Sequence, residues 1–137
     1  MILDYNAQFS DAQTLVAASL IFPATYDIDC ESGVSDLGAG TPIWVVCKVN
    51  TVCAGLATIS VALQDSAAGS TYVTRYTTYA YSLGQVDAVG NTLLSMPLPA
   101  DHARYLRLLY TITTSATAGA VDAFLCNAPP RDSSLGA

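Results

Sequence analysis

Apolar and polar residues alternate with a period of two over much of this chain. Ile43, Val45, Cys47 and Val49 interleave with Trp44, Val46, Lys48 and Asn50. Ile59, Val61 and Leu63 interleave with Thr58, Ser60, Ala62 and Gln64. Leu106, Leu108, Tyr110 and Ile112 interleave with Tyr105, Arg107, Leu109 and Thr111. Side chains of a strand project alternately to its two faces, so each run reads as a half-buried antiparallel strand. Residues 72–82, 91–98 and 120–126, rich in Tyr, Thr, Val and Leu, read as further strands. Turn signals part them at Ser32-Gly33, Gly38 to Pro42, Ala68 to Ser70, Val89 to Asn91 and Ala118-Gly119. The pattern indicates an all-β sandwich or barrel, with no internal repeat and no βαβ unit to seat a nucleotide.

One segment carries mixed signals. Ser10-Asp11-Ala12-Gln13 matches a helix capping box, and Ala17-Ala18 favours helix. Because everything downstream pairs as sheet, a strand is expected there. Leu15 to Phe22 is the longest apolar stretch, and it reads as a buried strand or a short helix.

The 137 residues make one domain. Its expected bounds are 1–127, including an N-terminal arm over 1–9, followed by a flexible tail over 128–137 that carries Pro129-Pro130. Met1, Ile2, Leu3 and Asp4 have neither the basic region nor the long apolar core of a signal peptide, so the arm is expected to be retained.

Charged residues are 12% of the chain against 52% hydrophobic, about half the usual charged share. A surface so poor in charge is expected to be hidden in an assembly, as a homo-oligomer or against a partner. The net charge is −6 and the five basic residues do not cluster, which argues against nucleic acid as a partner. No apolar run reaches the length of a membrane span. Cys30, Cys47, Cys53 and Cys126 are expected to be reduced and mostly buried.

Motifs for chemistry are sparse. The one histidine, His102, follows Asp101 in a connecting loop, and no nucleophile elbow, zinc-helix or P-loop pattern accompanies it. The expectation is a protein that is not an enzyme and needs no cofactor or metal. Asp27, Asp29 and Glu31 alternate and would share a strand face, either as hard oxygen ligands for calcium or as a solvated edge that discourages aggregation. On one unbroken strand Tyr72 and Tyr76 would share a face and Tyr79 and Tyr81 the other. Such tyrosines stack on sugars, anchor a protein interface, or pack within the sheet.

Several blocks resemble one family in order along the chain. They are Met1-Ile2-Leu3-Asp4, then Phe9-Ser10-Asp11-Ala12-Gln13, then Val61-Ala62-Leu63-Gln64. The strand Ala103 to Thr111 follows, with the turn and strand Thr117 to Leu125. Together they cover about a third of the sequence, and they resemble the jelly-roll cement (decoration) proteins of tailed bacteriophages, Bordetella-phage type. The four cysteines, the tyrosine-rich strand and the Pro-Pro tail depart from that pattern. The resemblance implies an antiparallel jelly-roll sandwich with an extended N-terminal arm. It implies assembly in a bacterial cytoplasm onto the capsid exterior, with the phage major capsid protein as partner. Met1, Ile2, Leu3, Asp4 and Phe9 are the expected capsid-binding arm. Tyr72 and Tyr76 are the expected self-interface, of a dimer or alternatively a trimer. The alternative function is a carbohydrate-binding or adhesive β-sandwich module.

Overall fold

A computed structural model describes residues 8–16, 20–29, 43–85, 88–99 and 102–126. The strands are β1 (Gln8–Thr14), β2 (Ile21–Pro23), β3 (Ile28–Asp29), β4 (Trp44–Ala54), β5 (Thr58–Ser66), β6 (Val73–Thr77), β7 (Tyr81–Ser82), β8 (Thr92–Pro97), β9 (Tyr105–Thr113) and β10 (Ala118–Cys126). Among the described residues there is no α-helix, only a short 3-10 turn at Leu83–Gln85.

The strands form two antiparallel sheets. One runs β1-β10-β4-β8 and the other β2-β9-β5-β6. β2 and β3 lie end to end along β9, and β6 and β7 do the same along β5. Each of those pairs fills one strand position. Counted by position, the first strand pairs the last (β1 with β10) and the second pairs the seventh (β2/β3 with β9). The third pairs the sixth (β4 with β8) and the fourth pairs the fifth (β5 with β6/β7). This nested pairing is one long antiparallel ribbon rolled into a sandwich, which is the jelly roll.

The core is what the alternation predicts. Leu106, Leu108, Tyr110 and Ile112 of β9 point inward and are buried, as are Ile59, Val61 and Leu63 of β5. They meet Val45, Cys47 and Val49 of β4 and Val121, Ala123 and Leu125 of β10. Some positions depart from the pattern. Val46, on the outward-facing set of β4, is fully buried in a second small cluster with Phe124 and Cys126, and Trp44 packs against it. Ala62 and Gln64, on the outward set of β5, are buried as well.

Two glycines are required by close approach. Gly55 ends β4 at φ +85°, where a Cβ would lie 2.8 Å from the Thr117 backbone nitrogen. Gly119 stands at φ +139°, and a Cβ there would lie 2.9 Å from Cys53 Sγ. Both admit the tight crossing of the β4–β5 and β9–β10 connections.

Segment 10–14 is strand rather than helix. The capping-box pattern is overridden because Ser10, Gln13 and Thr14 pair with Ala123, Val121 and Ala120 of β10. The tyrosine-rich segment 72–82, by contrast, is not one strand. It breaks after Thr77, where the Thr78 amide turns to bond the Val61 carbonyl.

Candidate functional site

Most of the Phe9-Ser10-Asp11-Ala12-Gln13 motif holds the fold together. Phe9 is fully buried in the sandwich core, which removes it from any exposed arm. The arm boundary expected at residue 9 therefore falls inside β1. Ser10 is buried, and its hydroxyl shares a hydrogen bond of 2.7 Å with Tyr110 Oη and donates to Gln13 Oε1. Gln13 in turn donates from Nε2 to the Pro23 carbonyl and accepts from the Thr25 amide, tying β1 to the chain beyond β2. Ala12 takes the left-handed conformation at φ 49°, within an irregularity in the β1–β10 register. Its amide donates to Asp122 Oδ1 at 2.6 Å, and Asp122 Oδ2 also accepts from Asn50 Nδ2. Met1, Ile2, Leu3 and Asp4 lie outside the described residues.

Tyr72 and Tyr76 do not share a face. Leu63 pairs with Tyr76 but Gln64 pairs with Thr74, so Arg75 is the extra residue of a β-bulge. A bulge inserts one residue and resets the alternation beyond it. Tyr72 turns to the outer face, where the Arg107 guanidinium lies 4.0 Å above its ring centre. Its hydroxyl donates to Asp27 Oδ2 at 2.6 Å. Burial, and then the Asp27 carboxylate it bonds, push the Tyr72 phenol above its usual range. The same outer row continues from Arg107 Nε to Gln64 Oε1 and from Gln64 Nε2 to Thr74 Oγ1.

Tyr76 is 46% exposed on β6, where every residue is exposed. The Tyr79 and Tyr81 rings meet at a tilt of 47° with centres 4.2 Å apart, and Gln85 Nε2 donates to Tyr79 Oη. β6 is an edge strand. Its bulge and the charge of Arg75 guard it against strand-to-strand addition, while Val73, Tyr76 and Tyr79 offer side-chain contact area.

Beside β6 lies an open groove of about 430 Å³ lined by Asp65, Ser66, Thr71, Val73, Arg75 and Ala103. Asp65 is buried and accepts at one oxygen from Arg75 Nε at 2.8 Å and from the Ala103 amide at 2.9 Å. Burial acts to raise its carboxyl, but these hydrogen bonds and the charge of Arg75 outweigh it and hold the group below the usual range. The sequence reading missed this pair. The available signal was an acid at an inward position of β5, where a buried charge needs a partner.

The remaining candidates are placed as follows. Asp29 and Arg104 form a two-bond ion pair at 2.8 and 2.9 Å, so Asp27 and Asp29 both serve as tethers, with Asp27 still exposed. Glu31 and Asp101 lie outside the described residues. His102 Nδ1 sits 2.7 Å from the carbonyl of Ala103. Among the described residues no three His, Cys, Asp or Glu side chains gather in a metal-sized group. Cys47 and Cys53 are buried free thiols, and burial raises both above the usual thiol range. Cys126 is buried in the outer cluster, and Cys30 lies outside the described residues. Among the described residues no helix is long and apolar enough to cross a membrane.

No curated protein matches the sequence. A family model does, over residues 9–125, the span that holds every strand but the first residue of β1 and the last of β10. The chain belongs to the Bbp16 family, whose name points to a Bordetella phage protein.

Proposed function

We propose that this protein is a capsid cement protein. It binds the outer surface of a tailed-phage capsid and holds neighbouring major capsid subunits together, without enzymatic activity. The observation that carries this reading is the Bbp16 family match over 9–125, which spans the jelly roll almost from end to end. The composition supports it. A chain with 12% charged residues suits a protein whose surface is covered on assembly. A net charge of −6 suits the exterior of the shell, away from packaged DNA. Many modest contacts, each repeated over the shell, add up through multivalency.

In this reading Met1, Ile2, Leu3 and Asp4 extend onto neighbouring subunits, and the Tyr76 edge joins copies of the protein into a dimer or, alternatively, a trimer. The test is sedimentation with capsids that lack the protein, in the presence and absence of a mixture of neutral sugars. Co-sedimentation insensitive to sugar is the expected result. Protein that stays at the top of the gradient, or that sugars release, contradicts the reading and favours a carbohydrate-binding module.

A further inference from the structure

The Phe9 to Gln13 motif sends its polar groups across the sandwich. β1 pairs with β10 in one sheet, yet four of its hydrogen bonds reach the other sheet and the chain that follows β2. Tyr110 Oη, on β9, bonds Ser10 Oγ at 2.7 Å. The Tyr26 amide donates to the Phe9 carbonyl at 2.9 Å. The Thr25 amide donates to Gln13 Oε1, and Gln13 Nε2 donates to the Pro23 carbonyl. A carbonyl only accepts and an amide N–H only donates, so these two partners fix the orientation of the Gln13 side chain. Ser10 spends its one proton on Gln13 Oε1, so Tyr110 is the donor to Ser10.

These bonds belong to one register. Gln8 pairs with Phe124 and Thr14 with Ala120, so six steps along β1 match four along β10. The two surplus residues are taken up by irregularities on either side of Ser10. A ladder without them, kept at Thr14–Ala120, would set Gln8 opposite Cys126 and Ser10 opposite Phe124. Phe9 and Leu15 would still share the inward face, so apolar burial alone does not select the observed register. Ser10 would turn outward with Phe124, and the fully buried Tyr110 would lose that hydroxyl partner. Asp11, exposed in the fold, would turn inward. Gln8 would stand two residues further along β10, a displacement of about 7 Å.

We propose that Ser10, Gln13 and Tyr110 form a register pin, which holds β1 with its two surplus residues and so sets where the N-terminal arm leaves the sandwich. The pin stands on β1 and its partners, and its consequence for binding rests on the arm contact of the cement reading. Buried polar groups can fix register because an alternative pairing leaves one of them without a partner. Ala12 shows that this register is held against local preference. Its φ of 49° is left-handed, and its amide donates to Asp122 Oδ1. The three pin residues are positioning residues, and none of them needs to touch the capsid.

The experiment uses the full chain and the variants Ser10→Ala and Tyr110→Phe, each of which removes one hydroxyl of the buried pair. Amide exchange and NMR spectra of the free protein read the register. The amides of Ala12 and Tyr26 are expected to exchange about tenfold faster, and residues 8–13 to show a second set of signals. The amides of Ala57, Thr78 and Leu98, which bond elsewhere in the sandwich, are expected to keep their rates. Capsid binding is expected to weaken in the full chain and to show no added loss in a chain lacking Met1 to Asp4. Equal acceleration at all five amides makes the hydroxyl pair a general contribution to stability and overturns the pin. Unchanged exchange in both variants overturns it too. Variants with a shifted β1 that bind capsids as wild type does overturn the link to the arm. A wild-type protein that never binds capsids overturns the cement reading and that link together, while the exchange rates still decide the pin.

Discussion

The Tyr72 hydroxyl donates to Asp27 Oδ2 at 2.6 Å, joining the chain before β3 to the chain before β6 across the outer face of β9 and β5. Arg107 lies 4.0 Å over the same ring, so a residue that alternation offers as an interface anchor is already committed within its own sheet. Replacing Tyr72 by Phe keeps the stacked ring and removes only the hydrogen bond. The expected loss is about 1 kcal/mol in a denaturant titration, with the mass in solution unchanged.

Tyr76 carries the opposite expectation. It is 46% exposed, and β6, on which it stands, is exposed throughout. Tyr76→Lys is expected to leave the melting temperature within a few degrees and to shift the solution mass toward monomer. Light scattering on wild type and variant at equal concentration reads this out. A wild type that is already monomeric contradicts the self-association.

Phe9 and the arm separate cleanly. Phe9→Ala opens a cavity among buried side chains and is expected to cost about 3–5 kcal/mol, enough to leave little folded protein. Deleting Met1 to Asp4 is expected to preserve the near-ultraviolet circular dichroism and the cooperative melt while weakening capsid binding or self-association. Equal decoration by the truncated and full chains would rule out the arm contact.

Asp65 makes acid stability legible. Its folded-state carboxyl titrates below the unfolded one, held there by hydrogen bonds from Arg75 and the Ala103 amide against the effect of burial. Its contribution is therefore fully present above the unfolded value, about pH 4, and is lost as pH falls through the lower folded value. Asp65→Asn is expected to cost about 1–3 kcal/mol at neutral pH and to flatten the fall in stability below about pH 4. Thermal melts of both proteins at a series of acidic pH values measure the difference.

The strands that form the walls of the core were legible because their periodicity is a direct record of two-sided burial. β4, β5 and β9 stand where Ile43 to Asn50, Thr58 to Gln64 and Tyr105 to Ile112 place them. The site was less legible, for physical reasons that differ by residue. The bulge at Arg75 resets side-chain parity, and nothing local in Val73 to Thr77 announces an extra residue. Phe9 sits close enough to the N-terminus to read as an arm, yet pairing of β1 with β10 draws it into the core. The partners of Asp27 and Asp29 could not be read locally, because the fold brings Tyr72 and Arg104 to them from 45 and 75 residues away.

The most direct test of the account is whether the protein cements. DNA-filled capsids lacking it are heated with and without the purified protein, and DNA release is followed by dye binding. The account predicts that saturating protein raises the release temperature. Capsids that bind the wild-type protein yet release DNA at an unchanged temperature would contradict the cement function.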